Sequence, residues 1–394
     1  MKHPPMKHSG RKILIISLSG IGDLILFTPV LPLLRKRFPD AEIELLVKKK
    51  EAAQVLKGNP SIDKIIIFDP QKASMRENLQ FYSKMRKQKY DISLSIFPAM
   101  TFLNNLSTFA IGARDRWIYK TGHPLLSFDF LQNRRIPYQH GKHRIDYNLA
   151  MAQAITGEDF PAYAHPEDPF EHGYIYGNGN GNRNGYGNDQ KSRSDQKSRS
   201  DQILGSLGID SKELLIGIHA GSGDNQPFKR WGEEKFALLA DRIQKEFPFR
   251  IVLLGGPEEE ELSRRIARQM VTHPVIAAGR TGIEEILALI SRCELLISND
   301  SGVMNMAFAL RRRILAIFGP TDDTCTRPMG KDDIFILKEL PCKPECRERY
   351  LYRKECNFGY QCLKDLSVDE VWKVAQGMLQ GIQESIKKQR SINH

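Results

Sequence analysis

Apolar residues in the first part of the chain form short continuous runs, and stretches with helical periodicity separate them. The run Arg11–Ser19 is typical of a buried parallel strand. The turn Gly20–Asp23 then leads into the helical pattern Leu24–Phe38, in which Pro29 and Pro32 predict a kink or a late helix start. Further strands are predicted at Ala41–Val47, Lys64–Phe68 and Tyr90–Ile96.

The same alternation of strands and helices returns in the second part of the chain. Strands are predicted at Leu214–His219, Arg250–Leu254, Pro274–Ala277, Leu295–Ser298 and Ile314–Phe318. Helices are predicted at Gly232–Phe247, Glu258–Met270, Gly282–Ser291, Gly302–Leu310 and Leu366–Lys387. This pattern predicts an α/β fold with two parallel-sheet, Rossmann-like domains, and ligands bound beyond the carboxyl ends of the strands.

Residues 171–202 interrupt the pattern with a Gly/Asn-rich stretch and two copies of Asp-Gln-Lys-Ser-Arg-Ser. Such a segment buries too little apolar area to offset the entropy of ordering, which predicts a disordered insertion or linker. The resulting domain limits are 1–170, 171–202, 203–365 and 366–394, the last being a closing helix with a terminal tail.

The composition is that of a globular protein, with 41% hydrophobic and 27% charged residues. No segment approaches the roughly 18 apolar residues that a membrane span needs, and no small-residue cleavage site follows the basic start. We therefore expect a cytoplasmic protein. The net charge of +11 is concentrated in residues 1–170, which hold 25 Lys or Arg and 16 Asp or Glu, against 33 and 31 in the remainder.

This charge excess favours an anionic partner for the first half. Nucleic acid, an anionic membrane surface and a phosphorylated glycolipid all fit the charge, and a basic face that only aids solubility fits it equally. The basic residues lack interleaved aromatics or a recognised binding module, which disfavours nucleic acid.

The junction Leu295–Gly302 is the most informative local feature. A strand runs into Asp300, Ser301 and Gly302 and then into a helix, so that Asp300 or Ser301 is a natural N-cap. The free amides and the positive dipole end behind the cap form a site for a diphosphate. A plain helix cap is the simpler interpretation of this junction alone.

The segment His219–Trp231 follows the first strand of the second half. Ser222 and nearby amides can bind phosphate oxygens, and Lys229 can supply a positive charge to them. The simpler interpretation is a solvated basic loop in which Trp231 anchors the next helix.

In the first half, Asp23 opens a helix directly after Gly20 and Gly22. Spacing alone favours a structural N-cap, and a general base for a sugar hydroxyl is the alternative. The turn lacks the third glycine of the dinucleotide fingerprint, so a nicotinamide cofactor is disfavoured.

These residues resemble the glycosyltransferase family that includes the ADP-heptose:lipopolysaccharide heptosyltransferases. The matching segments are Lys12–Pro29, Gly217–Trp231, Leu253–Glu258, Gly279–Glu285, Asn299–Met304 and Phe318–Asp322. Each motif is weak alone, whereas their order and spacing are specific. The resemblance implies the GT-B type of fold, with two Rossmann-like domains facing each other across a cleft, the acceptor on the N-terminal half and the nucleotide sugar on the C-terminal half.

The resemblance also implies residue roles. Asp23 matches the catalytic base beside the loop residues Gly20 and Gly22, and Lys229 matches the cation that faces the donor phosphate. Ser222, Glu258, Asp300, Ser301, Gly302 and Asn305 match donor-binding positions. The implied reaction inverts the anomeric carbon and uses no metal or other cofactor. The implied partners are ADP-heptose and an anionic glycolipid acceptor at the inner face of the cytoplasmic membrane, without nucleic acid.

Two positions depart from the family pattern. Asn305 stands where histidine is usual, and Gly232 stands where proline is common. Asparagine can form hydrogen bonds but cannot carry the charge of histidine. Another donor, a protein acceptor, or binding of a nucleotide sugar without turnover therefore remain alternatives.

Four of the six cysteines lie close together near the end of the chain, at Cys342, Cys346, Cys356 and Cys362. Free or redox-sensitive thiols are the first interpretation, and a structural zinc site is the alternative. Stable disulfides are disfavoured in a reducing cytoplasm. Cys293 and Cys325 are predicted to be ordinary packed positions.

Overall fold

The computed structural model describes residues 10–98, 102–120, 128–159, 200–223, 226–349 and 356–392. The chain divides into two compact units, with described residues 10–159 in the first and 200–392 in the second. Residues 171–199 of the predicted insertion lie outside the described residues. Residues 200–202, which we also assigned to the insertion, belong to a helical segment over 200–206.

The first unit is built on six parallel strands. They are β1 (Lys12–Ser17), β2 (Glu42–Val47), β3 (Lys64–Ile67), β4 (Ile92–Ser95), β5 (Asp115–Lys120) and β6 (Arg134–Pro137). Their order is β3-β2-β1-β4-β5-β6, so the chain reverses direction across the sheet between β1 and β4. This is the doubly wound arrangement in which ligands bind beyond the strand ends at the reversal point.

Helices connect these strands. They are α1 (Ile21–Phe27), α2 (Val30–Arg37), α3 (Lys50–Val55), α4 (Met75–Arg86), α5 (Phe102–Ile111) and α6 (Arg144–Thr156). The break that the prolines predict lies between α1 and α2, where Pro29 caps the second helix. The sequence pattern did not predict β5 and β6, because both are rich in charged side chains and only partly buried.

The second unit repeats the strand order of the first. Its strands are β7 (Leu214–His219), β8 (Phe249–Leu253), β9 (Val275–Ile276), β10 (Cys293–Asn299), β11 (Arg313–Phe318) and β12 (Ile334–Leu337). They are parallel in the order β12-β11-β10-β7-β8-β9, with the reversal between β7 and β10. The predicted α/β class with two Rossmann-like sheets is confirmed, although β12 was not predicted.

Eight further helices complete the second unit as far as the chain is described there. After the segment 200–206 they are α7 (Glu233–Glu246), α8 (Glu260–Gln269), α9 (Ile283–Arg292), α10 (Gly302–Ala309), α11 (Asp323–Thr326), α12 (Lys343–Arg349), α13 (Gln361–Asp365) and α14 (Val368–Ile392). None of the described helices is both long enough and apolar enough to cross a membrane. The domain limits drawn from the sequence stay predictions.

The closing helix α14 belongs to the core of the second unit. Its side chains Val371, Ala375, Leu379 and Ile382 recur at helical spacing and are buried in one cluster with residues of α7 and the sheet. The Trp231 indole joins this cluster and donates from Nε1 to the carbonyl of Leu366, 2.8 Å away. The indole therefore ties the loop after β7 to the start of the closing helix.

We expect Leu379→Ala to lower the free energy of unfolding by about 2–5 kcal/mol, because the side chain is 0% exposed and its removal leaves a cavity. Leu238→Ala is the matched control, since Leu238 lies on α7 and is 49% exposed. Its effect should stay within about 1 kcal/mol. Urea unfolding followed by circular dichroism measures both, and equal losses would contradict the assignment of α14 to the core.

Candidate active site

The strand order of the second sheet brings two loops together at its reversal point. Strands β7 and β10 pair in parallel with His219 opposite Ser298, so the residues that follow them lie side by side at the carboxyl edge. The sequence-predicted segments His219–Trp231 and Asp300–Gly302 therefore meet there. This edge is where a doubly wound sheet binds its ligand.

Asn299 joins the two loops. Its side-chain nitrogen donates to the carbonyls of Ala220 and Gly221, at 2.8 and 3.2 Å, and its oxygen accepts from the backbone amide of Trp231 at 3.1 Å. The side chain is fully buried, so each of these bonds satisfies a group that water cannot reach. Sequence analysis placed Asn299 in a motif but assigned it no role.

Lys229 and Asp300 form a buried ion pair, with 2.8 Å between Nζ and Oδ2. Each residue is only 5% exposed. The 3₁₀ turn Pro227–Lys229 carries the lysine to this position, and the hydroxyl of Thr326 donates to the other carboxylate oxygen of Asp300 at 3.3 Å. Two residues that the sequence proposed for one donor site are thus in direct contact.

Ser301 is the N-cap of α10. Its hydroxyl oxygen accepts from the amide of Met304 at 3.1 Å and lies 3.0 Å from the Ser298 hydroxyl. Of the two predicted caps, Asp300 and Ser301, the serine fills the role. Gly302 is the first residue of the helix, so the amide-lined, positive end of α10 begins directly beside the ion pair.

Two buried polar atoms near this helix lack a partner in the described part of the chain. Asn305 Oδ1 lies one turn into α10 on a residue that is 4% exposed. Thr321 Oγ1 lies in the loop that follows β11, the neighbour of β10 in the sheet. A buried polar atom without a partner is costly, so both are suited to bind a ligand group. The sequence motif Phe318–Asp322 contains Thr321 but gives no sign of this role.

The Ser222 hydroxyl is already engaged in the described structure. It donates to the carbonyl of Gln226 at 2.6 Å and accepts from Arg230 Nε at 3.3 Å. It therefore closes the loop after β7. Gly232, where the resemblance made proline the common residue, has a φ of 126°, which proline cannot adopt because its ring fixes φ near −65°.

Of the adjacent residues Glu258 and Glu259, it is Glu259 that faces inward. Its Oε2 lies 2.9 Å from His219 Nε2, whereas the neighbouring Glu258 is exposed. A β-carbon at Gly221 would overlap the Glu259 carboxylate, so that position needs glycine. Sequence analysis selected Glu258 because it matched the family motif; the 3₁₀ turn Pro257–Glu259 sets which of the two side chains points inward.

Glu259 is held as a carboxylate. Burial acts to raise its pKa, but the contact with His219 and hydrogen bonds from the amides of Gly256 and Gly223 outweigh burial and lower the pKa to about 2. His219 also lies 3.4 Å from Ser298, which contacts the cap Ser301. A continuous polar network thus extends from Glu259 to the N-terminus of α10.

A second ionic cluster holds the loop after β11. Lys343 Nζ donates to the carbonyls of Gly319 and Thr321, at 3.1 and 2.8 Å, and lies 3.1 Å from Asp323 Oδ1. Arg347 contacts both oxygens of Asp323. Burial acts to raise the pKa of Asp323, but the two cations outweigh it and lower the pKa. Helix α12, next to the tail cysteines, is thereby fixed to the loop that carries Thr321.

Within the described chain, no group of three or more histidine, cysteine or acidic side chains is arranged to hold a metal ion. The zinc alternative for Cys342, Cys346, Cys356 and Cys362 stays a prediction. Burial raises the pKa of the Cys346 thiol, and it raises that of Cys362 to about 11. Cys293 and Cys325 are buried, as expected for packed residues.

In the first unit, the residue at the N-cap of α1 is Gly20 and not Asp23. Asp23 is the third residue of the helix, and its carboxylate accepts from the Gly20 amide at 3.3 Å. The Asp23 carboxylate also pairs with Arg144 at the start of α6. Gly22 is an ordinary second residue of α1. The cap prediction was therefore wrong in position, and the proposed role as a base is unaffected by it.

Comparison with known proteins gives one consistent result. A model described as glycosyltransferase family 9 (heptosyltransferase) matches residues 178–355. Lipopolysaccharide heptosyltransferase 3 of Escherichia coli K12 is 25% identical over 323 residues, which are 79% of this chain and 84% of that protein.

Solved structures show the same fold. A glycosyl transferase family 9 protein from Veillonella parvula superposes with a TM-score of 0.70 at 23% identity, covering 95% of this chain and 99% of that one. ADP-heptose lps heptosyltransferase II of Escherichia coli superposes with a TM-score of 0.69 at 20% identity, covering 94% of this chain and 99% of that one. The predicted GT-B class of α/β fold is confirmed.

We expect Glu259→Gln to lower the free energy of unfolding at neutral pH by about 3 kcal/mol, because the native pKa lies near 2 and the ordinary value near 4.5. A lowered native pKa stabilises the fold above about pH 4.5, and that contribution disappears as the pH falls to about 2. The difference from the unsubstituted protein should therefore shrink across this window.

Glu258→Gln is the matched control for this experiment, since it makes the same change at an exposed neighbour. It should shift the free energy of unfolding by no more than about 0.5 kcal/mol at any pH. Chemical unfolding at a series of pH values measures both variants. A constant difference between Glu259→Gln and the unsubstituted protein from neutral pH to pH 2 would refute the buried carboxylate.

Proposed function

We infer that this chain belongs to glycosyltransferase family 9, the heptosyltransferases, and that it transfers a heptose from ADP-heptose to an inner-core acceptor of lipopolysaccharide. The observation that carries the proposal is the buried Lys229–Asp300 pair at the N-terminus of α10. A nucleoside diphosphate leaving group needs fixed positive charge, and this edge of the second sheet offers a cation and helix amides together.

The donor site is assigned to the second unit. The diphosphate binds at the positive end of α10, against Ser301 and Gly302, with Lys229 as a point charge that Asp300 holds in position. Asn305 Oδ1 and Thr321 Oγ1 are buried, and in this proposal they form hydrogen bonds with polar groups of the donor. Because the lysine and the helix end are already oriented, they can stabilise the negative charge of the departing diphosphate without reorganisation of the protein.

The acceptor step is assigned to Asp23. Its carboxylate takes the proton from the attacking sugar hydroxyl, while the C–O bond between the anomeric carbon and the diphosphate breaks and the electron pair leaves with ADP. A single displacement of this kind inverts the anomeric carbon. Arg144 and the Gly20 amide orient the carboxylate. Lys229 and the amides of α10 supply the positive charge that the departing phosphate needs, so the reaction requires no cofactor.

The acceptor and its location complete the proposal. The excess of positive charge in residues 1–170, with 25 basic and 16 acidic side chains, suits an anionic glycolipid. Such an acceptor is anchored in a bilayer, which puts the protein in the cytoplasm with peripheral contact to the inner face of the membrane. In this proposal the anionic glycolipid and the membrane account for the basic surface, and no nucleic acid is a partner.

A different nucleotide-sugar donor is the second candidate, and Asn305 favours it. The family usually has histidine at this position, and the buried asparagine presents a neutral acceptor atom instead. A screen of nucleotide sugars, scored by release of the nucleoside diphosphate, distinguishes the two candidates. Release from another donor at a rate above that from ADP-heptose would select the second.

We expect the protein to release ADP when it is incubated with ADP-heptose and a lipopolysaccharide precursor that lacks the inner-core heptose. Asp23→Asn should lower this rate by about 10²–10⁴-fold, because an amide cannot accept the proton. The affinity for ADP-heptose, measured by calorimetry, should change less than twofold, about the experimental scatter of such a comparison. Unchanged turnover would remove Asp23 from the reaction.

Glu77→Gln controls for the structural part of that substitution. Glu77 is the third residue of α4 and accepts from the Ser74 amide, as Asp23 does from Gly20 in α1. The control loses a similar helix-capping contact in the same unit and should keep full transfer activity. Binding of ADP-heptose without ADP release by the unsubstituted protein, across several acceptors, would identify a nucleotide-sugar-binding protein without turnover.

A further inference from the structure

Helix α5 of the first unit buries its polar side chains and exposes its large apolar ones. Asn104, Asn105, Ser107 and Thr108 are buried. On the opposite side Phe102 is 44% exposed, Leu106 39% and Phe109 41%. A surface helix of a globular protein normally has the reverse arrangement, with its apolar stripe toward the core.

The three exposed side chains form one stripe. At about 100° per residue, positions 102, 106 and 109 fall within an arc of about 60° on the helix surface. Phe130, which is 52% exposed in the 3₁₀ turn Asp129–Leu131, extends the stripe through Phe128. The Phe128 ring lies 4.8 Å from that of Phe102 and 5.4 Å from that of Phe130. We call Phe102, Leu106, Phe109 and Phe130 the apolar patch.

Hydrogen bonds fix this orientation of the helix. The Ser107 hydroxyl lies 2.7 Å from the Tyr82 hydroxyl of α4, and the Thr108 hydroxyl lies 3.1 Å from that of Ser95 on β4. Rotating α5 to bury its apolar residues would break both bonds and strand the partners in the interior. The outward position of the apolar patch is therefore built into the fold.

Arginines border the C-terminal end of the apolar patch. The Arg116 guanidinium lies 5.7 Å from the centre of the Phe109 ring, Arg86 packs against Gly112 at the end of α5, and Arg114 is exposed. Burial and the nearby Arg86 both lower the pKa of Arg116. The acidic residue in this segment, Asp115, is paired with Arg134. The patch is thus an apolar surface with a cationic border.

We propose that the apolar patch docks the protein on an anionic lipid bilayer, with the phenylalanines and Leu106 in the interface and the arginines against lipid phosphates. Aromatic and leucine side chains next to basic ones are the composition of surfaces that lie in the membrane interface. A second copy of the chain is a poorer occupant, because its patch has the same cationic border and supplies no compensating negative charge.

Docking at this patch would bring the enzyme to its lipid-anchored acceptor, and this role rests on the proposed function. Helix α5 follows β4, which pairs with β1 in the same parallel sheet, and α1 with Asp23 follows β1. The first residue of the stripe, Phe102, therefore lies toward the same edge of the sheet as Asp23. A membrane bound there presents a lipid-anchored acceptor on the side of the unit that carries the proposed base.

The test is vesicle binding without nucleotide sugar or acceptor. We expect the full chain to sediment with vesicles of phosphatidylethanolamine and phosphatidylglycerol, and to bind neutral phosphatidylcholine vesicles about tenfold less well or worse. Phe102→Ser/Leu106→Ser/Phe109→Ser should weaken binding to the anionic vesicles by about tenfold or more. Arg114→Gln should reduce the binding and its sensitivity to salt.

The matched control is Leu238→Ser/Val271→Ser, which removes exposed apolar side chains from the second unit, 49% and 74% exposed. It should bind vesicles as the unsubstituted protein does. Leu106→Trp supplies a measurement that does not depend on the triple variant: brominated lipids in the anionic vesicles should quench the added tryptophan. Full binding by the triple variant, or no quenching of Trp at position 106, overturns the proposal.

Two further measurements separate this inference from the proposed function. Transfer to a deacylated, water-soluble acceptor should be the same for the triple variant and the unsubstituted protein. If the unsubstituted protein transfers sugar but does not bind vesicles, the proposed function stands and the docking surface is refuted. If it binds vesicles but does not transfer sugar, the docking surface stands and the proposed function is refuted. A dimer in solution that the triple substitution dissociates, with vesicle binding unchanged, would assign the patch to a second copy.

Discussion

The site in the second unit depends on the buried contact between Lys229 and Asp300. Two charges with so little exposure must be paired, because the loss of either partner would leave the other without compensation in the interior. The pair therefore fixes the loop after β7 against the end of β10. Asn299 strengthens the same junction by holding both loop carbonyls and the Trp231 amide. The cation reaches the end of α10 as a fixed group, which is what stabilisation of a leaving phosphate requires.

Two networks of polar contacts connect the surroundings of this pair to residues farther away in the second unit. On one side His219, Glu259 and Ser298 lead to the N-cap Ser301, with Glu259 kept ionised by its neighbours. On the other side Thr326 connects Asp300 to the segment that begins at Asp323, and Lys343 ties that segment to the C-terminal part of the chain. The segment that carries Lys343 therefore helps to position the site, although none of its residues is proposed to contact the ligand.

The two units share one strand order but differ in chemistry. The edge of the second sheet carries a cation, helix amides and buried acceptor atoms, all suited to a nucleoside diphosphate sugar. The first unit carries a carboxylate held by Arg144, a surplus of basic residues and a helix that exposes phenylalanines. This division is consistent with the proposed transfer from a water-soluble donor to a lipid-anchored acceptor.

The sequence by itself determined the α/β class and nine of the strands, since a parallel strand buried on both faces needs a continuous apolar run. It missed β5, β6 and β12, because all three are charged or only partly buried; β6 and β12 lie at sheet edges, and β5 lies next to one. It also identified Lys229 and Asp300. Tertiary structure alone paired these two across 71 residues, turned Glu259 inward while leaving Glu258 exposed, and joined Asp23 to Arg144 across 121 residues. It also decided which side of α5 faces outward, because hydrogen bonds to Tyr82 and Ser95 override the apolar periodicity of that helix.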